Sequence, residues 1–314
     1  MTRAFVFPGQ GAQTIGMGKA LAEAYPAARA VFDEVNEALG EDLSALIWDG
    51  DIETLTLTAN AQPALMACSL AAVRALESEG VAVSDGVFVA GHSLGEYSAL
   101  AAAGALSVPD TARLLRLRGE AMQGAVPVGV GAMAAILGLD LAAVTAIAAE
   151  AAQGQVCQAA NDNDPAQVVV SGHLEAVERA AALARERGAK RALMLPVSAP
   201  FHCALMQPAA DAMGDALADV AIAAPSVPLV ANVTAEAVSD PDTIRALLVR
   251  QITGAVRWRE SVQYMAAQGT AEIWELGAGK ALTGMVRRID RGIACTNIAT
   301  PADIAAALAA AAQE

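Results

Sequence analysis

Ten residues constrain this chain more than any others: Val87-Phe88-Val89-Ala90-Gly91-His92-Ser93-Leu94-Gly95-Glu96. The first four are small or apolar and read as a short buried strand. Gly91 to Gly95 fits G-x-S-x-G, and the proline-free run from Leu94 to Ala103 reads as a helix. A serine at such a strand-to-helix bend stands exposed above the sheet edge. The first N–H groups of the following helix point toward it, which places the Leu94 N–H to stabilise an oxyanion. Glycine at 91 and 95 lets backbones pass where a Cβ would clash. Five letters also match ordinary tight turns, so the flanking strand and helix carry the inference.

Composition narrows what surrounds this bend. The chain has 314 residues, enough for one or two domains with a large core. Apolar residues make up 55% but aromatics only 4%, so the core is expected to be aliphatic and helix-rich. A formal net charge of −14 argues against a nucleic-acid binder or a polybasic membrane binder. Cys68, Cys157, Cys203 and Cys295 are far apart with no C-x-x-C, which reads as reduced cytoplasmic thiols and not a zinc site. The Met1–Phe7 segment is too short and too weakly charged for a signal peptide, and no apolar run is long enough to span a bilayer.

The order of expected elements suggests two units. Ala4–Phe7 is a strand, and helices follow over about 18–38 and 61–79, the second with Pro63 near its first turn. Its stripe Leu65, Cys68, Ala72 and Leu76 faces a core, with Cys68 as filler. From 131 to 196 the pattern becomes strand, helix, strand, strand, helix, strand, a ferredoxin-like βαββαβ order. The strands are 132–137, 155–160, 167–171 and 190–195, and the helices 141–152 and 174–187. Gly129 and Gly131 before this stretch, and Pro196 and Pro200 after it, read as hinges of an inserted domain. The expected division is a large α/β domain over 1–128 and 197–314, with the insert at 129–196.

The large domain resumes with Ala199-Pro200-Phe201-His202 as an extended loop. Helices are then expected over 204–218, 242–251, 260–268 and 301–314, with strands at 228–232 and 271–276. Neither glycine-rich turn is a nucleotide fingerprint. Pro8-Gly9-Gln10-Gly11 lacks the last glycine of G-x-G-x-x-G. Gly277-Ala278-Gly279-Lys280 has Trp274 where a P-loop needs its first glycine and Ala281 where it needs a magnesium-binding hydroxyl.

A serine nucleophile needs a base, and there are three histidines: His92, His173 and His202. His92 adjoins Ser93 on a sharp turn, where neighbouring side chains diverge, so it reads as structural support. His173 begins a helix of the insert and reads as a surface residue. His202 sits where the chain returns to the large domain and is the base by elimination. The three are too scattered to hold a metal. On the helix expected over 109–123, Thr111, Leu114, Leu115, Arg118 and Met122 share one face. Arg118 therefore lies in an apolar stripe and must be paired, either with a core Asp or Glu or with a substrate carboxylate gripped by its fork.

Taken together, these residues resemble the malonyl-CoA:acyl carrier protein transacylases. The resemblance covers nearly the whole chain: Phe5-Val6-Phe7-Pro8-Gly9-Gln10-Gly11, Gln62-Pro63-Ala64-Leu65, Gly91 to Leu100, Arg116-Leu117-Arg118-Gly119, Gly131 to Ile136, Phe201-His202, Tyr264 to Gly269, and Gly277-x-Gly-Lys280-x-Leu282-x-Gly284. It implies an α/β-hydrolase-like core with a small ferredoxin-like insert. It implies Ser93 as nucleophile, His202 as general base, the N–H groups of Gln10 and Leu94 as oxyanion hole, and Gln251 as the backbone carbonyl that orients the histidine. Arg118 would bind the malonyl carboxylate, and Met122 and Phe201 would line the acyl pocket. The implied partners are malonyl-CoA and an acyl carrier protein in fatty-acid synthesis, with no cofactor and no metal. A serine esterase or thioesterase of the same core is the rival. Arg185, Arg187, Lys190 and Arg191, or Arg287, Arg288 and Arg291, would offer positive charge to an acidic carrier, or are ordinary solvated faces.

Overall fold

The computed structural model describes residues 2–197 and 199–311. The chain begins with β1 (Arg3–Phe7), α1 (Lys19–Ala24), α2 (Pro26–Leu39), α3 (Leu43–Asp49), α4 (Ile52–Thr56), α5 (Thr58–Ser78), β2 (Phe88–Gly91), α6 (Gly95–Ala102) and α7 (Val108–Gly124). Next come β3 (Gly131–Leu137), α8 (Leu141–Ala152), β4 (Cys157–Asp164), β5 (Gln167–His173), α9 (Leu174–Glu186) and β6 (Arg191–Met194). The remainder is α10 (Gln207–Ala218), β7 (Leu229–Val230), β8 (Ala237–Val238), α11 (Pro241–Thr253), α12 (Trp258–Ala267), β9 (Glu272–Leu276), α13 (Ala281–Ile289), β10 (Ala294–Ile298) and α14 (Pro301–Ala311). The last three residues of the helix expected to reach Glu314 lie outside the described residues.

Two sheets result, so the fold is mixed α/β. The larger has order β10-β9-β1-β2-β7-β8 and is parallel except for the β7–β8 pair. Its central strands read as unbroken apolar runs, as strands covered on both faces must. In β1, Ala4 to Phe7 are all at most 1% exposed. The smaller sheet has order β4-β5-β3-β6, all antiparallel, with α8 and α9 packed on it around a separate cluster of small aliphatic side chains.

Several expectations need correction. The helix expected over 18–38 is two helices, because Tyr25 precedes Pro26 and takes an extended φ of −125°. Pro63 is not in the first turn of its helix. α5 starts at Thr58, so Pro63 lies in its interior and cannot donate to the carbonyl of Ala59. α7 crosses α5 at that end. A Cβ on Gly119 would come within 2.6 Å of the Ala59 Cα and the Thr58 carbonyl, so glycine there lets the two backbones meet. The segment 199–202 is not extended. The Phe201 N–H donates back to the Ala199 carbonyl (3.2 Å) and His202 has φ 58°. The second strand of the small sheet runs on past Ala160 through Asn161-Asp162-Asn163-Asp164, all at most 7% exposed despite their polarity. Helices α3, α4 and α13 and strands β8 and β10 were not anticipated.

The polar end of β4 is buried because it docks on the large sheet's layer. Asp162 pairs with Arg259 of α12 (2.8 Å) and Asp164 with Arg288 of α13 (2.8 Å). The Asp162 N–H donates to the Val256 carbonyl at 2.9 Å, and the Val256 N–H to the Ala160 carbonyl at 2.9 Å.

The tightest backbone contact is at the bend after β2. A Cβ on Gly91 would lie 1.9 Å from the Gly95 carbonyl carbon and oxygen, and one on Gly95 would lie 2.2 Å from the Phe7 carbonyl oxygen. Backbone cannot yield as a flexible side chain can. Gly95→Ala is expected to lower unfolding free energy by about 3 kcal/mol or more, read as a lower urea midpoint. A midpoint within error of the parent would contradict the contact.

Candidate active site

The bend places Ser93 at the tip of the β2–α6 connection. β2 ends at Gly91, and the His92 N–H extends the ladder one step by donating to Phe7 (3.0 Å). Ser93 then takes φ 54°. Its N–H donates to Asn232 Oδ1 (2.8 Å), while Asn232 Nδ2 donates to the Gly91 carbonyl (2.6 Å), so one buried amide spans the bend. Ser93 and His202 are two of only four described non-glycine residues with positive φ. Such conformations cost about 1–3 kcal/mol each and concentrate where function demands a fixed geometry.

Ser93 Oγ lies 2.8 Å from His202 Nε2, and His202 Nδ1 lies 2.9 Å from the Gln251 backbone carbonyl in α11. A carbonyl only accepts, so Nδ1 carries the proton and Nε2 is left as an acceptor for the serine hydroxyl. Burial, with the nearby Arg118 cation, pushes the His202 pKa down to about 3. The imidazole is therefore neutral near pH 7, the state a base requires.

Arg118 reaches the same point from α7. It lies on the face shared by Thr111, Leu114, Leu115 and Met122, all buried, and is itself 1% exposed. Its Nη1 donates to Gln62 Oε1 (2.8 Å), and its Nη2 to Gln251 Oε1 (2.8 Å) and to Ser93 Oγ (3.1 Å). Among the described residues its Nε has no hydrogen-bond partner, and its guanidinium carbon lies 5.5 Å from the centroid of the Tyr97 ring. Of the two pairings open in the sequence, the core ion pair is absent: among the described residues Arg118 is held by neutral amides and a hydroxyl. Burial lowers the pKa of this guanidinium, which nevertheless stays charged.

These groups open into a cleft of about 540 Å³, within the range of small-molecule sites. Gln10 and Leu94 line it, and neither backbone N–H donates to another protein group among the described residues. Met122 and Phe201 also line it, so every residue expected at the site is either in the cleft or, for Gln251, one hydrogen bond behind it. Of the other histidines, His92 also lines the cleft and His173 does not. His92 Nε2 lies 2.8 Å from Asn163 Oδ1, a structural link. His173 is half-buried and not a plain surface residue, and its Nδ1 accepts from the Val156 N–H (2.9 Å).

Sequence reasoning missed Asn232 and gave no role to Gln62 or Glu96. Gln62 and Glu96 lie within stretches already singled out. The one sign of Asn232 was a polar residue closing an apolar strand.

An acyl transferase domain family model matches residues 4–290. The chain belongs to that family. It is an acyltransferase, as are its close relatives. It is 50% identical over 305 residues to the malonyl CoA-acyl carrier protein transacylase of Escherichia coli (strain K12), covering 97% of this chain and 98% of that one. The corresponding protein of Bacillus subtilis (strain 168) is 46% identical over 306 residues, covering 97% and 96%. Among solved structures, an acyl-carrier-protein S-malonyltransferase from Bartonella henselae superposes with TM-score 0.96 at 56% identity, covering 99% of each chain. A malonyl-transacylase in complex with a type II PKS acyl-carrier protein superposes at 0.96 with 43% identity, covering 99% of this chain and 100% of that one.

A neutral imidazole has a direct readout. In the free acyltransferase the His202 ring is expected to stay unprotonated in an NMR titration from about pH 8 down to about pH 5, where a solvent-exposed histidine would charge near 6.5. The same shift makes stability fall as pH drops below about 6.5, because the unfolded chain takes up the proton first. A His202 pKa near 6.5 would contradict this geometry.

Proposed function

We propose that this acyltransferase moves a malonyl group from malonyl-CoA to the phosphopantetheine thiol of an acyl carrier protein, through a malonyl ester on Ser93, in support of fatty-acid elongation. The observation that carries the reading is the buried Arg118 cation, held by neutral groups and 3.1 Å from the Ser93 hydroxyl. A cation so placed favours an acyl group that carries its own carboxylate. A serine esterase of the same core gains nothing from it.

The chemistry follows from the distances. His202 Nε2 takes the Ser93 proton as Oγ attacks the thioester carbonyl. Negative charge on the carbonyl oxygen meets the N–H groups of Gln10 and Leu94, each worth about 3 kcal/mol in comparable sites. The tetrahedral adduct collapses, the coenzyme thiolate leaves with the proton from His202, and malonyl-Ser93 remains. The carrier thiol then gives its proton to His202 and attacks the ester, and Ser93 recovers its proton. The Gln251 carbonyl keeps the imidazole in the required tautomer throughout.

The elbow at the end of a central parallel strand supports an α/β-hydrolase-like core over 1–128 and 197–314. Numbering the insert's own strands one to four, its sheet order is 2-3-1-4, which supports a ferredoxin-like unit at 129–196. Buried or half-buried free thiols agree with a reducing, cytoplasmic setting. No helix among the described residues is long and apolar enough to cross a membrane. Of the two basic clusters, Arg187 pairs with Glu150 and Arg288 with Asp164. Exposed Lys190, Arg191, Arg287 and Arg291 offer charge to an acidic carrier.

Incubation with malonyl-CoA is expected to add one malonyl group to Ser93 by intact-mass and peptide analysis, with none in Ser93→Ala. Double-reciprocal plots in both substrates should be parallel, and intersecting lines would overturn the covalent route. Arg118→Ala should lower malonyl kcat/KM about 100-fold, the scale of a lost buried charge contact.

Phe201 lines the cleft, and a bulky ring beside the acyl group should favour malonyl over methylmalonyl by about 1–3 kcal/mol. Equal turnover of the two thioesters would refute that discrimination.

A further inference from the structure

Glu96, in the first turn of α6, is wholly buried and has no role in the steps above. Its Oε2 accepts from the Asn232 backbone N–H (3.0 Å) and from Gln251 Nε2 (2.9 Å). Its Oε1 is buried with no hydrogen-bond partner among the described residues. Gln251 Nε2 also donates to the Ser93 carbonyl (2.9 Å), while Gln251 Oε1 accepts from Arg118. One amide thus stands between a buried carboxylate and a buried guanidinium, its oxygen toward the cation and its nitrogen toward the anion. Reversing the amide would set donor against donor at Arg118 and acceptor against acceptor at Glu96.

We infer that Glu96 is a positioning residue that serves as the resting counter-charge of Arg118: it balances the guanidinium through the Gln251 amide while the cleft is empty, and takes a proton on Oε1 when a substrate carboxylate replaces it. The inference rests on Arg118 as the carboxylate site. The proton comes from solvent and no other bond is made or broken. Oε1 receives it because Oε2 already accepts two donors, both of which survive protonation.

The charges around Glu96 agree. Arg118 from α7 is the cation that faces it, Tyr97 is its titratable neighbour on α6, and Asn232 and Gln251 are neutral. His202 and His92, from the neighbouring turns, both have lowered pKa values, and burial is the leading cause in each. Burial lifts the Glu96 pKa to about 7 against the lowering effect of the Asn232 and Gln251 hydrogen bonds, and the Arg118 charge adds a further, smaller downward pull. Neutralising Arg118 with a bound carboxylate removes that pull and raises the value further. Carboxylate binding is therefore tightest where Glu96 is already protonated, and weakens as pH rises through the free-state value.

The test is calorimetry of malonyl-CoA titrated into the intact enzyme near pH 7 in two buffers of different ionisation enthalpy, together with KM against pH. Glu96→Gln keeps an oxygen for both donors and removes the charge, so it subtracts every other group's protons, those of the coenzyme phosphate included. The wild type is expected to take up a substantial fraction of one proton per site beyond that of Glu96→Gln. Its KM should rise about tenfold from about pH 6 to about pH 8, while the Glu96→Gln profile stays flat after the same subtraction. Equal proton uptake and parallel profiles would overturn the inference, and so would a wild-type KM independent of pH with no uptake. Arg118→Ala separates the two levels. If it loses malonyl transfer while the wild type shows no uptake, only the role of Glu96 falls. If it retains malonyl transfer, the carboxylate assignment falls, and this inference with it.

Discussion

A helix can leave β2 as sharply as α6 does only where two backbones touch without side chains between them. Gly91 and Gly95 meet at a separation no Cβ could occupy, and Gly95 presses on the carbonyl that ends β1. This contact sets Ser93 in a left-handed conformation, with Leu94 after it lining the cleft. The hydroxyl, the imidazole and the guanidinium all converge on the point that this crossing defines.

Around it, polar groups are buried in a connected set. Asn232 closes the bend, Gln251 faces both Arg118 and Glu96, and the Gln251 backbone fixes the imidazole. Isolated, each of these groups would pay heavily for leaving water. Joined, they hold the site in one arrangement, and amide orientation is the property on which that arrangement turns. α11 is thus as much a part of the site as the bend itself, although only its main chain meets the imidazole.

What could be read from the sequence was what is local. The bend, its strand and its helix all lie between Val87 and Ala103, and Arg118 stands out as a charge in an apolar stripe. His202 followed because histidines are scarce. Asn232 was not legible, since its importance depends on a contact with a bend 139 residues away. The buried Asn161 to Asp164 end of β4 was hidden for a similar reason. Asn-Asp-Asn-Asp has a loop's composition and becomes strand only because Arg259, Arg288 and the Val256 backbone satisfy it from another layer. Pro63 is a misleading signal because proline favours a first turn, whereas α5 already runs from Thr58.

The hydrogen bond from His92 to Asn163 joins the residue before Ser93 to a strand of the other sheet. The two sheets are therefore tied together at the bend itself. Any tilt of the smaller sheet that keeps this hydrogen bond would be felt at the turn that carries Ser93.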